Sequence, residues 1–386
     1  MKRALAVTLL LLMLPGCSWV AGFLGGEDNA EPPAPLTKLE DPLPLKKLWS
    51  KRVGVGNQEQ FLKLVPASAD GQIYIAGHKG SVTALDALTG KKIWQVKTDA
   101  PISAGPGAGE GLVLVGTSNA EVLALDAGGG GERWVAAVSS EVLSVPQVDL
   151  GRVFVQTVDG NVTALDAETG AQLWIFDRSV PVLTLRGTST PAVQHGVVVA
   201  GFANGKLVAM SADQGFVGWE ANIAIPKGRS ELERIVDIDG DPVIVGTAVY
   251  VATYQGSIGV VDLQSGNAGW KRDMSSYLSL GVDFSQVYVT DAQSHVWALS
   301  RSTGSTVWKT EDLAYRRLTA PEPFNDYIAV GDYAGYVHLL SRYDGRIVAR
   351  ARVDSDGISA RPLVVGDVLY VFGNSGKLAA FTLPAE

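Results

Sequence analysis

The sequence contains one cysteine, Cys17, and only four histidines in 386 residues. No Cys-x-x-Cys or His-x-x-x-His spacing occurs, so the sequence offers no zinc site, and a lone cysteine forms no internal disulfide. Phosphate-binding glycine loops, Gly-x-Ser-x-Gly elbows and His-Glu-x-x-His motifs are also missing. Basic residues are few, because 32 Lys and Arg face 40 Asp and Glu, for a formal net charge of −8. That balance argues against binding to nucleic acid or to a polyanionic surface.

The N-terminus has the pattern of a secretory signal peptide, which we predict to span residues 1–16. Two basic residues precede an apolar run that ends just before the cysteine, in MKRALAVTLLLLMLPGC. The run is too short to be a membrane-spanning helix, and its position is typical of a cleaved leader.

The end of this leader, Leu-Pro-Gly-Cys, resembles the lipobox of bacterial lipoproteins, in which the cysteine is lipidated and becomes the mature N-terminus. Pro15 departs from that pattern, since Ala, Ser or Thr usually stands there, and an ordinary secreted protein with an incidental cysteine is the alternative. The resemblance implies lipidation of Cys17. Ser18 follows instead of the aspartate that retains lipoproteins at the inner membrane, which implies anchoring in the outer membrane, facing the periplasm. Residues 17–44, rich in Gly, Pro, Ala and acids, are predicted to be the lipidated cysteine and a flexible tether.

One eleven-residue motif recurs through the rest of the chain. Its first copy, ALDALTGKKIW at residues 84–94, alternates apolar residues, places a glycine four residues before a tryptophan, and is followed by similar copies at a period of about 43 residues. The further copies are ALDAGGGGERW, ALDAETGAQLW, AMSADQGFVGW, VVDLQSGNAGW, ALSRSTGSTVW and LLSRYDGRIVA, the last with Ala349 at the tryptophan position. Trp49 is a tryptophan-type end with no repeat before it, and the final segment is a repeat without its end.

Each repeat contains three alternating strands and a poorer fourth one, the composition of one propeller blade. Eight tryptophan-type positions therefore predict an all-β, eight-bladed β-propeller over residues 45–386, with four antiparallel strands per blade. The segment around Trp49 is predicted to supply the outer strand of the C-terminal blade and so to close the ring. The glycine is predicted to take a positive φ in a turn that the motif aspartate caps, and the tryptophan to pack on the neighbouring blade.

The motif resembles the blade signature of quinoprotein dehydrogenases, which oxidise alcohols or sugars with pyrroloquinoline quinone. That family adds a calcium ion, a carboxylate base, a cofactor on the propeller axis and often a disulfide between adjacent cysteines, none of which can be placed in this sequence. A residue repeated in nearly every blade builds the ring, whereas a catalytic residue occurs once. A periplasmic quinone-dependent enzyme is therefore the alternative to a non-catalytic protein.

Two consecutive connections between blades are longer than the usual length. The distance from the motif tryptophan to the next repeat is usually 17 residues, but it is 22 after Trp174 and 27 after Trp219. Because strands alternate in direction, both connections are predicted to emerge on one face as neighbours. The first contains PVLTLRG and the second IVDIDGD. Leucines beside an arginine have the composition of an interface hot spot, although the leucines could also tuck beneath their loop and the aspartates could cap turns.

The lipobox, tether, propeller and two loops together resemble the BamB family, lipoprotein subunits of the machinery that inserts β-barrel proteins into the bacterial outer membrane. In that family a Leu-x-Leu-Arg loop and an Asp-x-Asp loop bind the periplasmic POTRA domains of BamA, the barrel subunit. The matching residues are Leu183, Leu185 and Arg186, then Asp237 and Asp239.

The resemblance implies a scaffold without catalysis or cofactor that binds BamA and, through it, the other lipoproteins of the assembly complex. We expect the leucines to bury on a POTRA domain while Arg186 pairs with a carboxylate, either on the partner or on Asp237 or Asp239. A propeller that binds unfolded barrel precursors at a sheet edge is a third hypothesis.

Overall fold

The computed structural model describes residues 31–57 and 60–384, so Cys17 and the predicted signal peptide lie outside the described residues. Residues from Ala34 onward form one compact unit, while Met1–Pro33 is a separate unit of which residues 31–33 are described and form no strand. Across the described ranges, no helix has the length and apolar character needed to span a membrane.

Thirty-three strands are described, and their bounds follow in chain order. They are β1 (Lys46–Arg52), β2 (Lys63–Leu64), β3 (Ala67–Ala69), β4 (Gln72–Gly77), β5 (Ser81–Asp86), β6 (Lys92–Lys97), β7 (Ile102–Gly109), β8 (Leu112–Thr117), β9 (Glu121–Asp126), β10 (Glu132–Ala137), β11 (Gln147–Asp149), β12 (Arg152–Gln156), β13 (Val162–Asp166), β14 (Gln172–Phe176), β15 (Ala192–Gln194), β16 (Val197–Gly201), β17 (Lys206–Ser211), β18 (Val217–Asn222), β19 (Val243–Val245), β20 (Ala248–Ala252), β21 (Ser257–Asp262), β22 (Ala268–Asp273), β23 (Gly281–Val282), β24 (Gln286–Thr290), β25 (Val296–Ser300), β26 (Thr306–Thr310), β27 (Glu322–Phe324), β28 (Tyr327–Gly331), β29 (Tyr336–Ser341), β30 (Ile347–Arg352), β31 (Leu363–Val365), β32 (Val368–Phe372) and β33 (Lys377–Thr382).

These strands form eight sheets, each with four antiparallel strands, and β2 adds a short parallel strand to one of them, which confirms the predicted eight-bladed propeller. Blade 1 is β3–β6, blades 2 to 7 follow in groups of four up to β30, and blade 8 is β31–β33 completed by β1. Most of the innermost strands have only two or three residues, as their prolines and glycines predict. In blade 8, β1 pairs antiparallel with β33, with Trp49 opposite Ala380, so the predicted closure of the ring by the N-terminal strand is also confirmed.

The repeated motif builds the contacts between blades. Trp134 lies in blade 2, and its indole packs against Gly170 in the β13–β14 turn of the neighbouring blade 3. The indole N–H donates to the carbonyl of Ala167 at 2.9 Å. In that turn Asp166 Oδ1 accepts the N–H of Thr169 at 2.8 Å, and Gly170 has a φ of +73°. The same pairing occurs at seven of the eight junctions between blades, through Trp49–Gly90, Trp94–Gly130, Trp134–Gly170, Trp174–Gly215, Trp219–Gly266, Trp270–Gly304 and Trp308–Gly345. The predicted roles of the motif aspartate, glycine and tryptophan are confirmed.

The one motif copy that lacks its tryptophan has a topological explanation. Ala349 lies in β30 of blade 7 and would face blade 8, whose outer strand β1 comes from the other end of the chain. Blade 8 therefore has no turn between its third and fourth strands, and no turn glycine exists for a tryptophan to pack on. Instead Ala349 is buried beside Phe381 of β33.

A pair of glycine substitutions tests the docking contact in isolation. A Cβ at Gly170 would lie 2.7 Å from the ring of Trp134, whereas a Cβ at Gly151, which also has a positive φ of +71°, meets no atom within 4 Å. Both Gly→Ala variants incur the cost of about 1–2 kcal/mol for a left-handed conformation, but only Gly170→Ala also displaces the indole. We expect Gly170→Ala to lower the urea midpoint clearly more than Gly151→Ala does, and equal midpoints would contradict the docking role.

The chain ahead of β1 lies against the outside of the ring. Leu43 donates its N–H to the carbonyl of Val348 in β30 at 2.8 Å, and Arg316 Nη1 and Arg350 Nη1 donate to the carbonyls of Ala34 and Thr37. Residues 34–45 thus contact blades 6 to 8. The boundaries predicted from the sequence for the tether and propeller, at residues 44 and 45, stay predictions.

Arg316 belongs to a buried polar network under this N-terminal segment. Its guanidinium pairs with Asp332 at 2.7 Å, and Asp332 accepts the Nε2–H of His338 at 2.9 Å. Arg350 Nε donates to Nδ1 of the same imidazole, and burial lowers the pKa of His338, so the ring is neutral. The network therefore fixes the segment in place and leaves Arg316 unavailable to a partner.

Candidate functional site

Two long connections stand out on the face where the blades are joined. The first loop, residues 177–191, connects β14 of blade 3 to β15 of blade 4, and the second loop, residues 223–242, connects β18 to β19 of blade 5. All connections from an outer strand to the next inner strand emerge on this face, which we call the connection face. The β-turns that join the third and fourth strands of blades 1 to 7 lie on the opposite face.

The two loops touch each other, as the topology predicts. The N–H of Leu185 donates to Oδ2 of Asp237, which joins the Leu-x-Leu-Arg motif of the first loop to the Asp-x-Asp motif of the second. Two residues further on, Gly187 lies so close to the second loop that a Cβ there would be 2.7 Å from Oδ1 of Asp239. The fold therefore brings all five predicted residues into one region, and the absence of a side chain at Gly187 permits the close approach of the two loops.

The second loop is held from below by its central isoleucine. Ile238 is buried in the hydrophobic core between blades 4 and 5, with Val199 and Val249. The carbonyl of Asp237 also accepts the N–H of Tyr254 at 2.8 Å. Because Ile238 is fixed in the core, the aspartates on either side of it have fixed positions as well.

The first loop presents its apolar side chains to solvent. Val182 is 98% exposed and Leu183 is 42% exposed, while Leu185 is half-buried. Val182 and Leu183 therefore do not tuck beneath the loop, which was the alternative interpretation of this segment. Exposed apolar side chains next to a cation are typical of protein-binding surfaces.

Arg186 pairs with a residue that the sequence did not suggest. Its Nη2 lies 3.0 Å from Oε1 of Glu141, in the connection between blades 2 and 3. The expected intramolecular pairing with Asp237 or Asp239 is therefore wrong, because the intramolecular carboxylate that Arg186 contacts is that of Glu141. The guanidinium side chain keeps 58% of its surface exposed, so the partner-facing role predicted for it stays a prediction.

Burial dominates the electrostatics of the two aspartates. It raises the pKa of Asp237 to about 7 and that of Asp239 to about 6, against an ordinary value of 3.8. For Asp237 the N–H of Leu185 offsets part of the increase, and for Asp239 the ammonium of Lys63 does. The site thus contains carboxyl groups that titrate near neutral pH behind an apolar surface.

These raised pKa values predict a pH-dependent stability. Between about pH 4 and about pH 7 the folded protein retains protons that the unfolded chain has released, so these two groups lower the free energy of unfolding as pH rises through that window. Asp237→Asn/Asp239→Asn keeps an oxygen for the N–H of Leu185 but removes the charges. We expect the variant to lose less stability than the wild type between about pH 5 and about pH 8, measured by urea unfolding, and parallel pH profiles would contradict the assignment.

The region around the first loop contains a depression with apolar walls and an ion pair. Within residues 31–57 and 60–384, no group of three or more His, Cys, Asp or Glu side chains is arranged to hold a metal ion. A surface depression lies beside the first loop, lined by Leu143, Val158, Thr184, Leu185 and the ion pair of Arg186 with Glu141. The ion pair and apolar walls could receive an apolar side chain of a partner.

Comparison with known proteins agrees with these features. A protein-family model described as "Outer membrane protein assembly factor BamB" matches residues 78–310. A protein of the same description from Pseudomonas aeruginosa is 50% identical over 378 residues, 98% of each chain. The crystal structure of BamB from Moraxella catarrhalis superposes with a TM-score of 0.80 at 28% identity, covering 88% of this chain and all of that one.

A quinohemoprotein alcohol dehydrogenase from Comamonas testosteroni also superposes, with a TM-score of 0.70 over 89% of this chain and 78% of that one. Its identity to this chain is only 15%, so the likeness extends to the fold alone.

Proposed function

The chain belongs to the BamB family of outer membrane protein assembly factors, and from this premise we propose that its two neighbouring loops bind the periplasmic POTRA domains of BamA. The observation that carries the proposal is the hydrogen bond from the N–H of Leu185 to Asp237. It makes one surface of two motifs that lie 52 residues apart in the chain. Leu183, Leu185 and Arg186 would contact the partner, and Asp237 and Asp239 would hold the first loop in its binding shape.

The different roles proposed for the two loops follow from the burial of their side chains. Asp237 is only 1% exposed and has little surface to offer a partner, whereas Leu183 and Arg186 have much of theirs in solvent. Apolar and arginine side chains at the centre of an interface carry most of its binding energy. The aspartates would therefore act on binding through the conformation of the first loop.

We also propose that Cys17 carries lipid and anchors the protein at the periplasmic face of the outer membrane. The leader, the Leu-Pro-Gly-Cys sequence and Ser18 support this proposal. Several acyl chains on one residue give stable anchoring, since each buried methylene contributes about 0.8 kcal/mol and one chain alone is marginal.

Co-purification tests the proposed partner. The lipoprotein, carrying an affinity tag at its C-terminus, is isolated from solubilised outer membranes and its partners are identified by mass spectrometry. We expect BamA and the other lipoproteins of its complex, and recovery without BamA would contradict the proposal. The same preparation, incubated with pyrroloquinoline quinone and calcium, is expected to show no dye-linked oxidation of alcohols, because we propose a non-catalytic scaffold.

The outer strands favour a second candidate function, direct binding of unfolded barrel proteins. Each outer strand is the open edge of its sheet, and several of them expose apolar side chains, among them Ile93, Val135, Leu173, Ile175 and Val307. A strand of a precursor could pair with such an edge. Crosslinking to nascent barrel proteins when BamA is depleted would support this candidate, and its loss on depletion would favour the scaffold.

A further inference from the structure

Lys63 lies between the two loops although it is far from both in sequence. It belongs to the segment that runs from the ring-closing strand β1 to blade 1, and its short strand β2 pairs in parallel with the inner strand β7 of blade 2. Lys63 is opposite Ala104, Leu64 is opposite Gly105, and Val65 donates its N–H to the carbonyl of Gly105 at 3.1 Å. Leu64 is buried in the core of blades 1 and 2. The backbone at Lys63 is therefore fixed by the ring itself.

The ammonium group of Lys63 contacts each loop directly after its motif. It donates to the carbonyl of Thr188 in the first loop at 3.0 Å and forms an ion pair with Asp241 in the second. Asp241 Oδ1 also accepts the N–H of Thr190 at 2.6 Å, and the N–H of Asp241 donates to Ser279 at 2.9 Å. One cation and one carboxylate thus link the bases of both loops to blade 2 and to the connection between blades 5 and 6.

We infer that Lys63 is a positioning residue of the proposed binding site, holding the Leu-x-Leu-Arg loop against the Asp-x-Asp loop before a partner arrives. This inference rests on the proposed function only for its effect on BamA binding, since the effect of Lys63 on the order of the two loops does not depend on the identity of the partner. The geometry supports this positioning role, because the side chains or backbone of Lys63, Thr190 and Ser279, from three separate segments of the chain, all contact Asp241.

Electrostatics gives the same residue a second effect on the loops. Asp237, Asp239 and Asp241 lie within five residues of each other in a partly buried loop, and Lys63 is paired with one and lowers the pKa of another. Arg186 forms its ion pair with Glu141 instead. Replacing Lys63 by an apolar residue leaves the carboxylates without this counter-charge and the Thr188 carbonyl without its donor, so the link between the two loops through Lys63 is lost.

Ordering a loop upon binding costs affinity, and this cost is absent when the loop is ordered beforehand. Since Lys63 is half-buried and does not belong to the exposed apolar surface, removing it should reduce affinity through loop order and not through lost contacts. We therefore expect Lys63→Met to weaken the binding of BamA about tenfold, whereas Lys63→Arg, which keeps the charge and the donors, retains most of it.

The first test needs no partner. Hydrogen exchange is measured on the full-length lipoprotein in detergent, comparing the wild type with Lys63→Met, Lys63→Arg and Lys92→Met. Lys92 is an exposed lysine of β6 and serves as the matched control. We expect faster exchange in residues 182–190 and 236–241 for Lys63→Met alone, with unchanged exchange in β29 and β30. Unchanged exchange in both loops would overturn the inference.

The second test measures binding of the same variants to BamA in detergent, beside the triple variant Leu183→Ala/Leu185→Ala/Arg186→Ala. If the triple variant binds as the wild type does, the proposed function fails, whatever Lys63 does. If the triple variant loses binding while Lys63→Met binds normally, the inference about Lys63 fails alone. An equal loss for Lys63→Arg and Lys63→Met would also overturn it.

Asp241→Asn provides an independent check, because it breaks the same contact from the other side. We expect it to weaken BamA binding as Lys63→Met does. We also expect the double variant to bind BamA with the same affinity as the weaker-binding of the two single variants, since the two residues act as one unit. Should Lys63→Met fail to fold, Asp241→Asn alone decides the question. Wild-type affinity for a folded Asp241→Asn would then overturn the inference.

Discussion

Replacing Leu183, Leu185 and Arg186 together with alanine is expected to weaken the binding of BamA by at least about 30-fold, which corresponds to about 2 kcal/mol or more. Leu183 and Arg186 expose side chains on the connection face, and Leu185 lines the depression beside them. Truncating central apolar and arginine side chains removes the contacts that dominate most interfaces. The dissociation constant is measured with the full-length protein and BamA, both in detergent.

The matched control for this variant lies on the opposite face. Leu88 and Arg346 are exposed residues of β-turns that connect the third and fourth strands of blades 1 and 7. Leu88→Ala/Arg346→Ala removes the same kinds of side chain and is expected to leave affinity within about twofold of the wild type. A triple variant that is folded and binds BamA as tightly as this control would reject the proposed site.

The Trp134→Ala variant is expected to produce the largest loss of stability, about 3–5 kcal/mol. The indole of Trp134 is 7% exposed, fills the core between blades 2 and 3, lies against Gly170, and donates to the carbonyl of Ala167. Alanine would leave a cavity and an unpaired buried carbonyl at the junction of two blades. Unfolding in urea, followed by far-ultraviolet circular dichroism, measures the loss without relying on tryptophan fluorescence.

Trp297 provides the comparison within the same protein. It stands outside the repeated docking positions, is only half-buried, and donates its N–H to the nearby Asp291 at 2.9 Å. Trp297→Ala is therefore expected to cost less than half as much as Trp134→Ala. Equal losses would mean that the docking position carries no special share of the stability.

The architecture could be predicted because the same sequence motif is repeated from blade to blade. Every copy of the motif supplies the same turn, cap and docking ring, so counting tryptophans counts blades, and the unmatched ends at Trp49 and at the C-terminus predict the closure that β1 and β33 make. Even the departure at Ala349 follows from this topology, since blade 8 has no third turn. What repetition does not encode is the docking of residues 34–45, which depends on single contacts such as that of Arg350 with Thr37.

The site was predictable only in part. Loop length and topology brought Leu185 and Asp237 together in the prediction, because two adjacent connections were visibly extended. Glu141 was missed because it lies in a connection of ordinary length. Lys63 was missed although its connection is also extended, with 22 residues from Trp49 to Gly71, and both residues reach the loops only because the ring brings distant segments together. The burial of Asp237 was also missed, because its cause is the packing of Ile238 in a core that the sequence does not reveal.

The likeness to dehydrogenases shows why fold and function must be argued separately. A quinohemoprotein alcohol dehydrogenase shares the ring at 15% identity, and the docking tryptophan with its turn glycine is a device for joining blades. Within the described residues, the two extended loops carry sequences that the other blades do not repeat.

Site-specific photo-crosslinking in living cells tests the central claim most directly, that the two neighbouring loops are the surface that binds BamA. A photoreactive amino acid replaces Val182, the most exposed apolar residue of the first loop, and in a separate strain it replaces Leu88 on the opposite face. We expect an adduct with BamA from position 182 and none from position 88. An adduct from position 88, together with none from position 182, would contradict the claim.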